Sequence, residues 1–132
     1  QVLGLERIEG EDISKFGVVD PIETGKICTL KGIVEKPSFP EAPSELAVVG
    51  RYIFNGSIFN HINNDAPGKN GEIQITDAIL SDIANFVGYE FDGKRFDCGS
   101  KIGYLKANVE FGLADSELGP ALAEYLKGKK DL

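Results

Sequence analysis

Near the start of the chain the apolar residues either alternate with polar ones or run in short blocks, the two patterns expected of β-strands. Val2-Leu3-Gly4-Leu5-Glu6-Arg7-Ile8 predicts a first strand, Gly10-Glu11-Asp12 a turn, and Phe16-Gly17-Val18-Val19 a second strand stopped by Asp20-Pro21. Residues 26–36 form the next extended piece. Its β-branched Ile33-Val34 points to a buried strand, and Glu35-Lys36-Pro37 ends it, because proline has no N–H to give to a sheet ladder. The proline-rich stretch Ser38 to Ser44 is a loop. Leu46 to Phe54 is then apolar throughout except at Arg51, as a strand covered on both faces requires.

Beyond residue 56 the apolar period lengthens towards that of a helix. Ser57 to Asn63 places Ile58, Phe59 and Ile62 on one face, and Asp65 to Gly71 reads as a loop. Thr76 is a candidate N-cap for a helix carrying Ile79, Ile83 and Phe86, with Asp77 favourable to the helix dipole. Asp92-Gly93 between Val87–Phe91 and Lys94–Phe96 predicts a hairpin near 87–96. Ser100 is expected to cap a helix with Ile102, Leu105 and Val109 inward and Gly112 as its stop. Ser116 opens the last helix, with Leu118, Leu122 and Leu126 on one side and Lys127, Lys129 and Lys130 at its end. Residues 1–56 are thus mostly strands and 57–132 mostly helices, an α/β or α+β chain in which the apolar strands favour a mixed sheet.

Composition narrows the function classes. With 132 residues, 42% hydrophobic and 27% charged, the chain has the makings of one globular core and is read as a single domain. A net charge of -7 repels nucleic-acid backbones and anionic lipid. No apolar run is long enough to span a bilayer and Gln1-Val2-Leu3-Gly4 carries no leader pattern, so a cytoplasmic address is expected. Cys28 and Cys98 are too few and too far apart for a disulfide framework or zinc motif, and are expected to be reduced and buried. His61, beside Phe59 and Ile62, reads as an edge residue rather than a base. The chain begins at Gln1, has no methionine and opens directly on a strand, which reads as an internal fragment.

Two constellations could carry chemistry. Glu35-Lys36 sits at a strand end, where a lysine can meet a phosphate as a point charge and a glutamate can accept hydrogen bonds from sugar hydroxyls. The plain alternative is a solvated surface pair. Asp97-Cys98-Gly99-Ser100 combines a carboxylate suited to magnesium with a turn and a helix N-terminus, and its plain alternative is a capping arrangement. Gly17 and Gly50 interrupt apolar strands, marking either close approach of a ligand or a bulge. Thr76-Asp77 reads as a helix cap rather than a site.

Taken in order, Phe16-Gly17-Val18-Val19-Asp20, Val34-Glu35-Lys36-Pro37, Ala42-Pro43-Ser44, Leu46 to Tyr52, Gly71 to Ile79 and Asp97 to Tyr104 closely resemble the bacterial UTP:glucose-1-phosphate uridylyltransferases. The likeness runs through Val109-Glu110-Phe111-Gly112 and covers nearly all of this chain but about half of that family's catalytic domain. It implies the C-terminal part of a nucleotidyltransferase α/β/α sandwich around a mixed β-sheet, with helices concentrated in its second half. The implied reaction joins glucose 1-phosphate to UTP, giving UDP-glucose and pyrophosphate with Mg2+ as cofactor. On matching positions, Lys36 would hold the sugar phosphate, Glu35 the glucose hydroxyls, the Gly17 and Gly50 backbones would approach the sugar, and Asp97 would bind metal. The family's triphosphate-cradling loop, base-reading segment and second metal aspartate are not in this sequence. The expected partner is therefore the N-terminal half of the same enzyme, within a homodimer or homotetramer, and the fragment alone is expected to be inactive. The alternatives are a non-catalytic sugar-phosphate-binding or oligomerisation module, or a related sugar nucleotidyltransferase of another base preference.

Overall fold

The structure is a computed structural model that describes residues 1–62 and 71–129, so the expected loop Asp65 to Gly71 and the terminal Lys130 fall largely outside the described residues. The chain forms two compact units, Gln1–Asp92 and Gly93–Leu132.

Among the described residues the first unit holds five strands: β1 (Val2–Arg7), β2 (Gly17–Pro21), β3 (Ile27–Glu35), β4 (Leu46–Ile53) and β5 (Val87–Glu90). They close into a ring in the order β1-β4-β2-β3-β5. Four neighbouring pairs are antiparallel and the closing pair, β1 with β5, is parallel, so the sheet is mixed as expected. Two irregularities help it curl, one between β1 and β4 and one between β2 and β3, since an extra residue on one strand bends it and increases its twist.

Alternation decides what fills the ring. Leu3 and Leu5 of β1, Cys28, Leu30 and Ile33 of β3, and Leu46 and Val48 of β4 are buried in one cluster with Val19 of β2. Ile58, Phe86 and, from helix α1 (Ile75–Ser81), Ala78 and Ile79 complete it. Each of these large apolar side chains contributes about 1.5–3 kcal/mol by leaving water. A second cluster of Ile13, Val18 and Ala47 covers the other side of β2 and the start of β4, so the two-sided cover expected for Leu46 to Phe54 holds at Leu46–Val48 but not beyond, where Ile53 is 68% exposed.

The second unit contains α2 (Lys101–Ala114) and α3 (Gly119–Lys127), so among the described residues the three α-helices all lie after residue 74. Ser100 is the N-cap of α2, its hydroxyl accepting from Gly103 N–H at 3.1 Å.

Several expectations need correction. The hairpin at 87–96 does not form: β5 has β1 on one edge and β3 on the other, leaving no edge for Lys94–Phe96, which is not a strand. Phe96 instead meets Phe111 of α2, ring centres 6.1 Å apart. Gly112 is not a stop, because α2 continues to Ala114; a Cβ at 112 would come within 2.7 Å of Leu122 on α3, so the glycine permits close helix packing. Ser116 does not open α3. The helix starts at Gly119 with Leu118 as its N-cap, and Asp115 holds the turn before it, its Oδ1 accepting from the N–H groups of Leu118 and Glu117, bonds that hold its carboxyl below the usual range. Ile102, Leu105 and Val109 are not inward but 61%, 58% and 38% exposed, and the buried position of α2 is Ala107. Cys98 is exposed in the loop before α2, whereas Cys28 is buried and burial pushes its thiol pKa up.

Gly88 is the tightest point of the ring. It pairs with Leu3 on one side and Cys28 on the other, and a Cβ there would overlap Leu5 and lie 2.9 Å from the Cys28 sulfur. Gly88→Ala should therefore cost about 1–3 kcal/mol, read as a lower denaturation midpoint in urea with an unchanged slope.

Candidate functional site

A regular β3 would carry its core-facing phase from Cys28 and Leu30 to residues 32 and 34. It does not, because the ladder with β2 slips: Asp20 pairs with Gly32 but Pro21 pairs with Leu30, leaving Lys31 as an extra residue. Lys31 Nζ turns outward to Asp20 Oδ1 at 3.4 Å. The phase is reversed beyond it, so that Ile33 is buried, Val34 is exposed and Glu35 follows Ile33 on the inner face.

Glu35 lies opposite Gly17 of β2. A Cβ on Gly17 would stand 3.1 Å from Glu35 Oε2, so the glycine leaves room for the carboxylate. The same Oε2 accepts a hydrogen bond from Thr76 Oγ1 at 2.7 Å. Thr76 is therefore not the N-cap of α1, a position held by Gln74; it lies inside the first turn and directs its hydroxyl at Glu35. Lys36 N–H donates to Phe16 O at 3.0 Å, and Lys36 Nζ stands 3.9 Å from Glu35 Oε1 with its side chain exposed.

Lys36 has φ 45, the only non-glycine residue with positive φ among the described residues. That conformation costs of order 1–3 kcal/mol and persists only where its surroundings impose it. Here Pro37, which is buried, disfavours right-handed helical geometry at the preceding residue, and the Phe16 carbonyl holds the Lys36 N–H. The strand thus ends with two adjacent, oppositely charged side chains, the glutamate partly buried and the lysine free to reach a ligand.

Tyr52 of β4 is the other residue that feels Glu35. Burial pushes its phenol pKa up, and the Glu35 charge adds to the rise. Its ring stacks on Phe54 with centres 5.0 Å apart, and Phe54 meets Phe86 edge-on at 5.9 Å. In the sequence Thr76 reads only as a helix cap and Tyr52 carries no role of its own, because the Thr76–Glu35 bond spans 41 residues and no local spacing encodes it. Gly50 occupies the irregularity in the β1–β4 ladder, where Leu3 pairs with Tyr52 but Leu5 with Val48. Its φ of 71 suits glycine, and the bulge reading accounts for it at the level of the fold.

Asp97 belongs to the second unit. Its Oδ1 accepts from Gly99 N–H at 3.1 Å, and its carbonyl accepts from Ser100 N–H at 3.2 Å and from the Ser100 hydroxyl at 3.0 Å. The side chain is exposed in this turn. Among the described residues there is no group of three or more His, Cys, Asp or Glu arranged to hold a metal ion. A single exposed carboxylate fits magnesium, which keeps water ligands and commonly takes only one or two protein carboxylates beside substrate phosphates.

The profile of the nucleotidyl transferase family matches residues 6–112, a span that includes Gly17, Glu35, Lys36, Gly50, Thr76 and Asp97. The chain belongs to the nucleotidyl transferase family. It is 38% identical over 130 residues to a UTP--glucose-1-phosphate uridylyltransferase of Bacillus subtilis (strain 168), an alignment covering 96% of this chain and 44% of that protein. A UDP-glucose pyrophosphorylase from Acinetobacter baumannii superposes with a TM-score of 0.83 at 36% identity, over 98% of this chain and 45% of that one. A UDP-glucose pyrophosphorylase complexed with UDP-glucose gives 0.76 at 41% identity, over 83% and 43%. The chain thus spans about half the length of these nucleotidyl transferase relatives.

The electrostatics around Glu35 carry a pH signature. A phenol whose pKa is raised in the folded protein holds its proton more tightly there, so this stabilisation is present below the ordinary tyrosine value of about 10 and is lost as pH rises through the raised value. Tyr52→Phe should therefore flatten the loss of stability above pH ~10, measured as denaturation midpoint against pH. In the unsubstituted phenol, Glu35→Gln should lower the pH at which tyrosinate absorbance from Tyr52 develops.

Proposed function

We propose that this chain supplies the sugar-phosphate part of the site of a UTP:glucose-1-phosphate uridylyltransferase. The observation that carries the reading is the Glu35–Lys36 pair at the end of β3, with Gly17 opposite and Lys36 held in a strained backbone conformation. A phosphorylated sugar has an anionic end and a hydroxyl-bearing ring, and adjacent cation and carboxylate match those two needs. Resemblance to proteins named for this activity supports the choice of glucose 1-phosphate and UTP.

In this reaction an oxygen of the sugar phosphate attacks the α-phosphorus of UTP in line. A new phosphorus–oxygen bond forms, the bond from the α-phosphorus to the bridging oxygen breaks, and pyrophosphate leaves with the bonding pair. The protein needs no nucleophile of its own, so rate comes from positioning and charge neutralisation. Lys36 Nζ holds the attacking phosphate and offsets its repulsion from the triphosphate. Glu35 accepts from the glucose hydroxyls and fixes the ring, while the Gly17 and Gly50 backbones allow the sugar to approach. Asp97 would hold magnesium, which when bound neutralises phosphate charge. The nucleotide contacts are assigned to the remainder of the protein, acting in the cytoplasm as a homodimer or homotetramer.

In the complete protein, Lys36→Ala should lower kcat/KM for glucose 1-phosphate by about 10²–10³-fold, a loss of the size seen when one group stabilising a charged transition state is removed. Unchanged kinetics would remove Lys36 from the site. Asp97→Asn should lower turnover and raise the magnesium concentration needed for half-maximal rate; an unaltered magnesium response would leave Asp97 as a turn residue only.

A further inference from the structure

Thr76 is 8% exposed, the only buried polar or charged residue among those described, and its hydroxyl makes a long-range bond to a residue of the candidate site. Packing alone would be met as well by valine, which has the same shape and carries no hydroxyl to desolvate. The hydroxyl has a single partner of consequence, Glu35 Oε2, the oxygen that also faces Gly17. The other oxygen, Oε1, is on the side of Lys36 Nζ. With one oxygen bound from α1 and the cation near the other, the carboxylate plane cannot turn freely about the side-chain torsions.

We infer that Thr76 is a positioning residue: it fixes Glu35 Oε2 so that Oε1 alone is presented to a sugar hydroxyl, and thereby links helix α1 to the sugar-binding end of β3. The inference rests on the proposed role of Glu35. Without the hydroxyl, Glu35 gains rotational freedom, and Oε2 competes with Oε1 for the ligand or turns to Lys36 Nζ and draws it from the phosphate. The loss falls on binding of the sugar phosphate. UTP, which does not contact Glu35 in the proposed reading, is bound as before.

The test uses the complete enzyme with Thr76→Val, Thr76→Ser, Glu35→Gln and the double variant Thr76→Val/Glu35→Gln, each checked for an unaltered far-ultraviolet circular dichroism spectrum. Thr76→Val should raise KM for glucose 1-phosphate about tenfold, the equivalent of one charge-assisted hydrogen bond lost from an ordered site. KM for UTP should stay within about twofold, and Thr76→Ser should restore the sugar-phosphate KM to within about threefold of the parent. On the Glu35→Gln background, Thr76→Val should add almost nothing, because its effect passes through Glu35. The inference is overturned if Thr76→Val leaves the glucose 1-phosphate KM unchanged, raises both substrates' KM values together, or adds in full to Glu35→Gln. If Glu35→Gln itself leaves that KM unchanged, the assignment of Glu35 to the sugar fails first, and the role given to Thr76 falls with it. Should Thr76→Val not fold, Thr76→Ala and Thr76→Ser provide the same comparison, with loss in the alanine variant and retention in the serine variant required.

Discussion

Glu35 places a carboxylate on the inner face of a strand whose preceding inner residues are Cys28, Leu30 and Ile33. A charge taken towards an apolar core is costly unless it is hydrogen-bonded or paired, and most of the local structure can be read as the answer to that cost. The extra residue at Lys31 turns Glu35 inward in the first place. Gly17 gives the carboxylate room, Thr76 donates to it, and it keeps part of its surface at the open end, where its side chain is 22% exposed beside Lys36 Nζ. Such an arrangement stabilises the fold less than an apolar residue at the same place would, because the Glu35 carboxylate loses hydration that one hydroxyl and an exposed ammonium 3.9 Å away only partly return. Its retention is understandable if the carboxylate has a ligand to bind.

The strain at Lys36 belongs to the same account. A left-handed lysine ahead of a buried proline is a poor way to end a strand, and glycine would serve better there on backbone grounds alone. Lysine contributes a mobile ammonium on a four-carbon stem, which can meet a phosphate while the neighbouring glutamate stays fixed. Rigidity on one residue and reach on the next suit a substrate with a rigid ring and a mobile charged end. In the second unit the geometry around Asp97 is just as local. The turn is held by bonds from Gly99 and Ser100 back to Asp97, and Gly103 is required because its Cα lies against the Asp97 carbonyl, where a Cβ would collide.

Much of this was legible from residue order. The alternation in β1 and the short apolar blocks of β2 and β4 identified strands, and Ser100 identified the start of α2, because these depend on neighbours within a few residues. The errors arose where longer-range packing overrode local preference. Asp92-Gly93 is a good hairpin turn, but the closure of β5 between β1 and β3 left no edge to pair with. Gly112 resembles a helix stop, but its missing side chain is used by Leu122. At the site, Glu35 and Lys36 were visible as a charged strand end. Thr76 was read as a cap because its partner is 41 residues away, and the phase reversal at Lys31 cannot be seen without the β2 register.

The end of β3 is the proposed seat of the sugar phosphate, and every role given to Glu35, Lys36 and Thr76 depends on it. The most direct measurement is an experimental structure of the complete protein with glucose 1-phosphate bound. The expected result places the phosphate within hydrogen-bond distance of Lys36 Nζ and a glucose hydroxyl on Glu35 Oε1, with Thr76 still donating to Oε2. A sugar phosphate bound elsewhere, with Glu35 and Lys36 left facing solvent, would contradict it.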